Sequence, residues 1–381
     1  MIYFDNAATT LKKPQTVIDA VNAALTSFGG PGRGSHGPAI EASMALFHGR
    51  EAVSRLFGVP GGSSRVAFTL NATMALNIAI DALLPAQGRA VTTQASHNSA
   101  LRPLFRARDE RACSIGVARI APDGSLDEDS YMRELARGAD LVVATHASNV
   151  TGDVYDVARM AALAHDAGAL FVLDAAQTAG AYPLDMGELG VDVVCFTGHK
   201  SLYGPQGTGG LAVREGVEVA PLLEGGSGVK SFEERQPRVM PESLEAGTAN
   251  AHGAAGLAAG VEYVLGKDPR AIAGAACALV ERFEAGIAGV PGVRLYGGHA
   301  GAGRTGVVAF NLGDADSGEV AARLWQDFGI CVRPGAHCAP LMHRALGTES
   351  QGAVRASFSG FTTEEEIDEG IRAVRALAAR L

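Results

Sequence analysis

Between residues 65 and 213 the chain alternates short, β-branched apolar runs with amphipathic stretches, and this alternation most narrows the folds open to it. The runs lie at 66–69, 90–93, 141–145, 169–173, 191–196 and 210–213. They have the length of strands and are nearly continuous in apolar residues, as strands covered on both faces are. Between them, 73–84, 98–108, 127–137 and 156–166 carry apolar residues at three- and four-residue spacing, which predicts helices. Strand, helix and strand in succession require crossover connections, so the expected fold class is α/β with a mostly parallel sheet.

From residue 214 the texture changes. Residues 224–250 form a glycine-rich, irregular passage, and a loop of that length in a compact domain is functional or part of an interface. Beyond it, 252–265 and 269–288 read as helices, 305–312 and 354–358 as strands, and 363–381 as a final helix. The expected organisation is a large domain over 15–251 and a smaller α+β domain over 252–381, with residues 1–14 packing near the smaller one.

Charge and cysteine usage narrow the function classes. The net charge is −9, and the one arginine cluster, Arg102, Arg106, Arg108 and Arg111, is interrupted by Asp109 and Glu110. That pattern is a solvated helix face, so no nucleic-acid partner is expected. The five cysteines are odd in number and show no C-x-x-C spacing, which favours neither a disulfide framework nor a metal site and fits a reducing cytoplasm. The opening M-I-Y-F-D-N lacks the pattern of a signal peptide, and no window of about 18 uncharged apolar residues predicts a membrane span.

The ends of the predicted strands carry the chemistry. The run at 169–173 stops at Asp174, and the run at 191–196 enters T-G-H-K and stops at Lys200. A carboxylate and an amine at the carboxyl edge of one parallel sheet are the minimal equipment for pyridoxal phosphate. The aldehyde condenses with a lysine, and the ring nitrogen needs an anionic partner to stay protonated. A free lysine of pKa ~10.4 is neutral only about once in a few thousand molecules at pH 7, so Lys200 needs desolvation. Thr197 and His199 can contact a phosphate from the same turn. Asn71-Ala72-Thr73 opens a helix, so its amides and the Thr73 hydroxyl can face an anion there, although a plain N-cap has the same sequence. His97 follows another strand, where it can stack on a pyridine ring and exchange protons near its reactive carbon, or cap the next helix. Asn149 and Gln177 follow two more and can reach a ring hydroxyl or serve as turn amides.

Two residues of the C-terminal part stand out. Cys113, Cys195, Cys277 and Cys331 lie in or beside apolar runs, whereas Cys338 sits in the polar loop R-P-G-A-H-C-A-P. His337 and Arg333 are expected to lend it positive charge and so favour the thiolate. Arg355 is a lone cation inside an apolar strand pattern, and its guanidinium fork suits a carboxylate.

Taken together these residues resemble the class V aminotransferase family of fold-type I pyridoxal phosphate enzymes, and within it the cysteine desulfurases. The resemblance runs through Y-F-D-N-A-A-T-T (3–10), the His97 turn, D-A-A-Q (174–177), T-G-H-K (197–200), E-A-G-T-A-N (245–250), R-P-G-A-H-C (333–338) and V-R-A-S-F (354–358). It implies that Lys200 links to the cofactor, Asp174 pairs with the pyridine nitrogen, Gln177 meets the ring hydroxyl and His97 stacks on the ring. Thr73, Thr197 and His199 would hold the phosphate, with Thr248 arriving from the second subunit of a homodimer. Asn149, Arg333 and Arg355 would contact substrate L-cysteine, and Cys338 would take its sulfur as a persulfide for a sulfur-acceptor protein. Iron–sulfur cluster assembly is one route such sulfur feeds. The same motifs fit a selenocysteine lyase or another carbon–sulfur lyase, and in a different class a catalytically silent sulfur carrier or scaffold. Three positions depart from the family: Ala72 replaces a second phosphate-binding threonine, and Met74 and Ser96 replace glutamates. One lost neutral hydrogen bond contributes about 1 kcal/mol, so weaker cofactor retention is expected.

Overall fold

The computed structural model describes residues 1–32, 34–298 and 303–381. Its largest element is a seven-stranded sheet built from β1 (Val66–Thr69), β2 (Arg89–Thr93), β3 (Ser114–Ala118), β4 (Leu141–Thr145), β5 (Leu170–Asp174), β6 (Val193–Thr197) and β7 (Gly209–Val213). Across the sheet the order is β1-β7-β6-β5-β4-β2-β3, and only β7 runs antiparallel to its neighbours. Alternation along each strand divides the core. Phe171 and Leu173 enter the apolar cluster on one face and Val172 the cluster on the other, as period-two geometry demands. Helices fill both faces, so the parallel strands are doubly covered.

The four predicted crossover helices form at Ala72–Leu83, Asn98–Arg111, Glu128–Leu135 and Val157–Asp166. Each starts at a side chain that accepts a hydrogen bond from the first turn: Asn71, His97, Asp127 and Asp156. Two long helices not foreseen from sequence, Gln15–Ser27 and Gly37–Phe57, pack on Ala251–Lys267. Small residues allow the close fit: a side chain at Gly256 would collide with Val21 and Pro205. Strand β3 also escaped prediction, because it is an edge strand with a glycine at its centre and partly exposed residues.

Beyond Lys267 a third apolar cluster lies on a three-stranded antiparallel sheet of β8 (Val293–Tyr296), β9 (Val307–Leu312) and β10 (Val354–Ser357). Helices Pro269–Ile287, Ser317–Phe328 and Glu364–Ala378 cover it, the last starting from a capping box between Thr363 and Glu366. The N-terminal segment bridges the two sheets. Ile2–Tyr3 pairs in parallel with Ile330–Cys331, Phe4 is buried in the third cluster, and Asn6 Nδ2 donates to the Ser357 carbonyl at 2.9 Å. The segment then crosses to the large sheet, where Gln177 Nε2 donates to the Ala7 carbonyl at 3.3 Å. No helix among the described residues is long and apolar enough to cross a membrane.

Candidate active site

The carboxyl ends of β4, β5 and β6 meet the turns after β1 and β2 around a cavity of about 230 Å³. Nine residues singled out from the sequence line it: Ala72, Thr73, His97, Asn149, Asp174, Gln177, Thr197, His199 and Lys200. The strands end in register, and Asp174 of β5 sits beside Cys195 of β6 in the ladder. Topology thus brings together groups spread over more than a hundred residues of chain.

Lys200 lies on a turn clamped from outside. Thr10 Oγ1 donates toward the Lys200 carbonyl (3.0 Å), and Lys13 Nζ donates to the His199 carbonyl (3.1 Å) and to Thr10 Oγ1 (2.7 Å). The turn also needs Gly198, because a side chain there would collide with Thr208. Burial, aided by the nearby Arg355 cation, pushes the Lys200 amine down from 10.5 to about 8. Asp174 is buried, with one oxygen accepting the Ala176 amide at 3.0 Å. Burial raises its pKa, opposed by that amide and by Lys200. A cation placed against this carboxylate would reverse the rise.

The cavity contains unsatisfied polar atoms. Thr197 Oγ1 and His199 Nδ1 are buried with no hydrogen-bond partner. Such orphans cost free energy unless a ligand meets them, and an anion rich in acceptor oxygens fits both. Burial and the cations Lys200 and Lys13 push His199 down to about 4, so its ring is neutral near pH 7. Pyridoxal phosphate matches this donor set: the orphaned atoms at the Thr197–His199 turn and the helix start at Thr73 suit its phosphate, Asp174 its ring nitrogen and Lys200 its aldehyde. Ala72 offers no hydroxyl there, and the helix cap is Asn71, which accepts the Met74 amide at 3.0 Å.

His97 forms the helix cap, one of the two roles that the sequence left open for it, and its ring also lines the cavity. Its Nδ1 accepts the Ser99 amide at 3.0 Å as the cap of helix Asn98–Arg111, while its ring lines the cavity. Burial, with Lys200 and Arg355 nearby, pushes it down to about 4.

The C-terminal residues reach the cavity rim. Arg355 is 2% exposed; its Nη1 donates to the Asn149 carbonyl at 2.9 Å and its Nη2 to Asp5 Oδ1 at 3.1 Å, while Nε has no partner. The Cys338 loop is docked onto the same rim: Asn149 Nδ2 donates to the His337 carbonyl at 2.6 Å and the Asn98 amide to the Cys338 carbonyl at 2.7 Å. His337 and Cys338 both have left-handed backbone (φ 47° and 57°), which costs non-glycine residues about 1–2 kcal/mol each. Cys338 is exposed at this strained corner. One expectation is corrected. His337 turns its ring inward, with Nε2 3.0 Å from the Ala353 carbonyl, and burial pushes it to about 3, so it lends Cys338 no positive charge.

Four predicted residues do not line the cavity itself: Arg355 and Cys338 at its rim, and Arg333 and Thr248. Arg333 is exposed and meets Arg355 through backbone hydrogen bonds of 3.0 and 2.8 Å. Thr248 lines a separate hollow of about 140 Å³ with Leu70, Met74 and Leu223, and Leu70 and Leu223 are largely exposed. Its loop is pinned by the half-buried Glu245, which accepts from the Phe68 amide (2.7 Å) and from Arg50 (2.6 Å). Asp5 and Ser99 belong to the site but were given no role from sequence, since their partners lie 350 and 26 residues away.

The seven-stranded, mostly parallel sheet is that of the fold-type I architecture of pyridoxal phosphate enzymes. The chain belongs to the aminotransferase class-V family, whose model matches residues 2–369 and implies pyridoxal phosphate as cofactor. It is similar to a probable cysteine desulfurase of Methanothermobacter thermautotrophicus (33% identity, covering 96% of this chain and 92% of that one). A cysteine desulfurase of Cereibacter sphaeroides is 34% identical over 96% of this chain and 93% of its own. Among solved structures, the apo cysteine desulfurase of Thermococcus onnurineus superposes with a TM-score of 0.92 at 32% identity, covering 100% of this chain and 95% of that one.

Proposed function

We propose that the chain is a pyridoxal phosphate-dependent cysteine desulfurase that carries sulfur on Cys338. The overall step balances as enzyme thiol plus L-cysteine giving enzyme persulfide plus L-alanine, with one sulfur atom transferred. The observation that carries this reading is the docked loop: hydrogen bonds of 2.6 and 2.7 Å hold His337 and Cys338 against Asn149 and Asn98. A thiol 138 residues from Lys200 in sequence is thereby brought to the rim of the Lys200 cavity.

When bound, pyridoxal phosphate supplies an electron sink that weakens the bond between the substrate's β-carbon and sulfur. Lys200, with its amine near 8, is neutral in about one molecule in ten at pH 7 and so is ready to condense with an aldehyde. Asp174 would hold a positive ring nitrogen and Gln177 the ring hydroxyl. Thr73, Thr197 and His199 would hold the phosphate, and the neutral His97 would pack on the ring. Arg355, preset by Asp5 and Asn149, receives the α-carboxylate, with Arg333 at the entrance. The Cys338 thiol then takes the sulfur. Residues 15–251 thus supply the cofactor's ligands and residues 252–381 the thiol and the carboxylate clamp.

A homodimer completes the site, with Thr248 of one copy reaching the phosphate of the other; the exposed Leu70 and Leu223 beside Thr248 support an interface there. The persulfide passes to an acceptor protein, since Cys338 is exposed, and five free cysteines suit a reducing cytoplasm. The test is stoichiometric. The purified chain with L-cysteine should yield one alanine per persulfide or sulfide, and Cys338→Ala should abolish this while keeping the visible band of the bound cofactor. Full desulfuration by Cys338→Ala would refute the thiol's role and favour a lyase of the selenocysteine type.

A further inference from the structure

We propose that Ser99 is a positioning residue that couples the anion-holding end of the cavity to the proton state of His97. Ser99 lines the cavity between the two, with its Oγ 2.7 Å from Thr73 Oγ1 and 2.9 Å from His97 Nδ1. The inference rests on the reading that Thr73 contacts the phosphate.

Hydrogen-bond bookkeeping gives the coupling its direction. The Ser99 amide donates to His97 Nδ1 at 3.0 Å, and a backbone amide is only ever a donor. Nδ1 therefore carries a lone pair, and the ring proton sits on Nε2. With no anion present, Thr73 donates to Ser99 and Ser99 donates to Nδ1, so both hydroxyl protons have acceptors. An anion without protons can only accept. It takes the Thr73 proton, Thr73 then accepts from Ser99, and the Ser99 lone pair is left facing the lone pair of Nδ1. That arrangement favours placing a proton on Nδ1, so an occupied phosphate site makes His97 easier to protonate. By linkage, a protonated His97 holds the anion more tightly.

The charges that act most on His97 are the cations Lys200, Arg355, Arg102 and Arg333, which disfavour the imidazolium, and the carboxylate Asp174 lines the same cavity. Their effect passes through space and does not need the Ser99 hydroxyl. Removing that hydroxyl separates the relay from plain electrostatics, and the cap survives because it uses the Ser99 backbone.

The experiment reads the ring nitrogen shift of His97 by NMR in the full chain freed of cofactor, with sulfate as a proton-free probe at constant ionic strength. The signal is assigned with His97→Gln, and sulfate occupancy is followed at the Ala72 amide. Sulfate should move the His97 Nδ1 signal in the wild type. Ser99→Ala should lose more than about half of that response, leaving the part carried by charge, and Ser99→Thr should restore it. An equal response in wild type and Ser99→Ala overturns the coupling, as does a wild type whose Ala72 amide responds while His97 does not. Failure of the wild type to develop a visible band with pyridoxal phosphate is a separate result, and it sinks the cofactor reading.

Discussion

Replacing Thr197 by valine should stabilise the cofactor-free chain and weaken its grip on pyridoxal phosphate, two effects of opposite sign from one atom. Thr197 is 3% exposed and its hydroxyl has no partner, so the folded cofactor-free chain bears the cost of desolvating it. That cost is about 1–3 kcal/mol, and valine keeps nearly the same shape without the polar atom, so a gain of about 1 kcal/mol is expected. A hydrogen bond from this hydroxyl to a phosphate oxygen contributes about 1.5–3 kcal/mol, because its acceptor is charged. Losing it should raise the dissociation constant roughly tenfold to a hundredfold. Urea unfolding of the cofactor-free proteins reads the first effect as a higher midpoint at unchanged slope. Equilibrium dialysis against pyridoxal phosphate reads the second. A valine variant that is less stable without cofactor and binds it as tightly as the wild type would show that the hydroxyl is neither orphaned nor a phosphate ligand.

Three further outcomes follow from the same reasoning. Burial pushes His97, His146 and His199 to about 4 and His337 to about 3, below the ordinary 6.5, so the folded state binds fewer protons than the unfolded state between those values. Stability should therefore be full above about 6.5 and fall as pH drops through that window; urea midpoints that stay flat across it would contradict the burial argument. Asp5→Asn leaves the Arg355 guanidinium without its anion, and a loss of about 1 kcal/mol in substrate positioning should raise KM for L-cysteine about fivefold with a smaller change in kcat. A fall in kcat alone would assign Asp5 to a different step. Glu245→Gln breaks the charged link to Arg50 under the 224–250 loop, which should cost about 2 kcal/mol in urea unfolding and open that loop to proteolysis.

The strand-end residues were legible because a parallel sheet has one ligand-binding edge. Once six apolar runs were recognised, Asp174, Lys200, Thr197 and Asn149 had to lie near one another. Helices Gln15–Ser27 and Gly37–Phe57 were not foreseen, and their close packing on Ala251–Lys267 depends on small residues such as Gly256. The inward turn of His337 was also illegible. It depends on the Ala353 carbonyl, which pairing between 333–335 and 353–355 delivers and no local pattern records. Ser99 was hidden for a related reason: its hydroxyl matters only through Thr73, a residue on another helix.

The N-terminal bridge has a consequence for how the protein is made. Hydrogen bonds from residues 4–13 reach partners 170 to 353 residues further along the chain. At about 5–20 residues per second of synthesis, such partners emerge on the order of 10 to 70 s after the segment itself. Until then the His199 and Lys200 carbonyls, once formed, have no clamp if the early segment has been captured elsewhere, and loop closure over such distances slows the search. The lysine turn is therefore finished by residues synthesised long before it, and a nascent chain becomes competent to keep its cofactor only after that return.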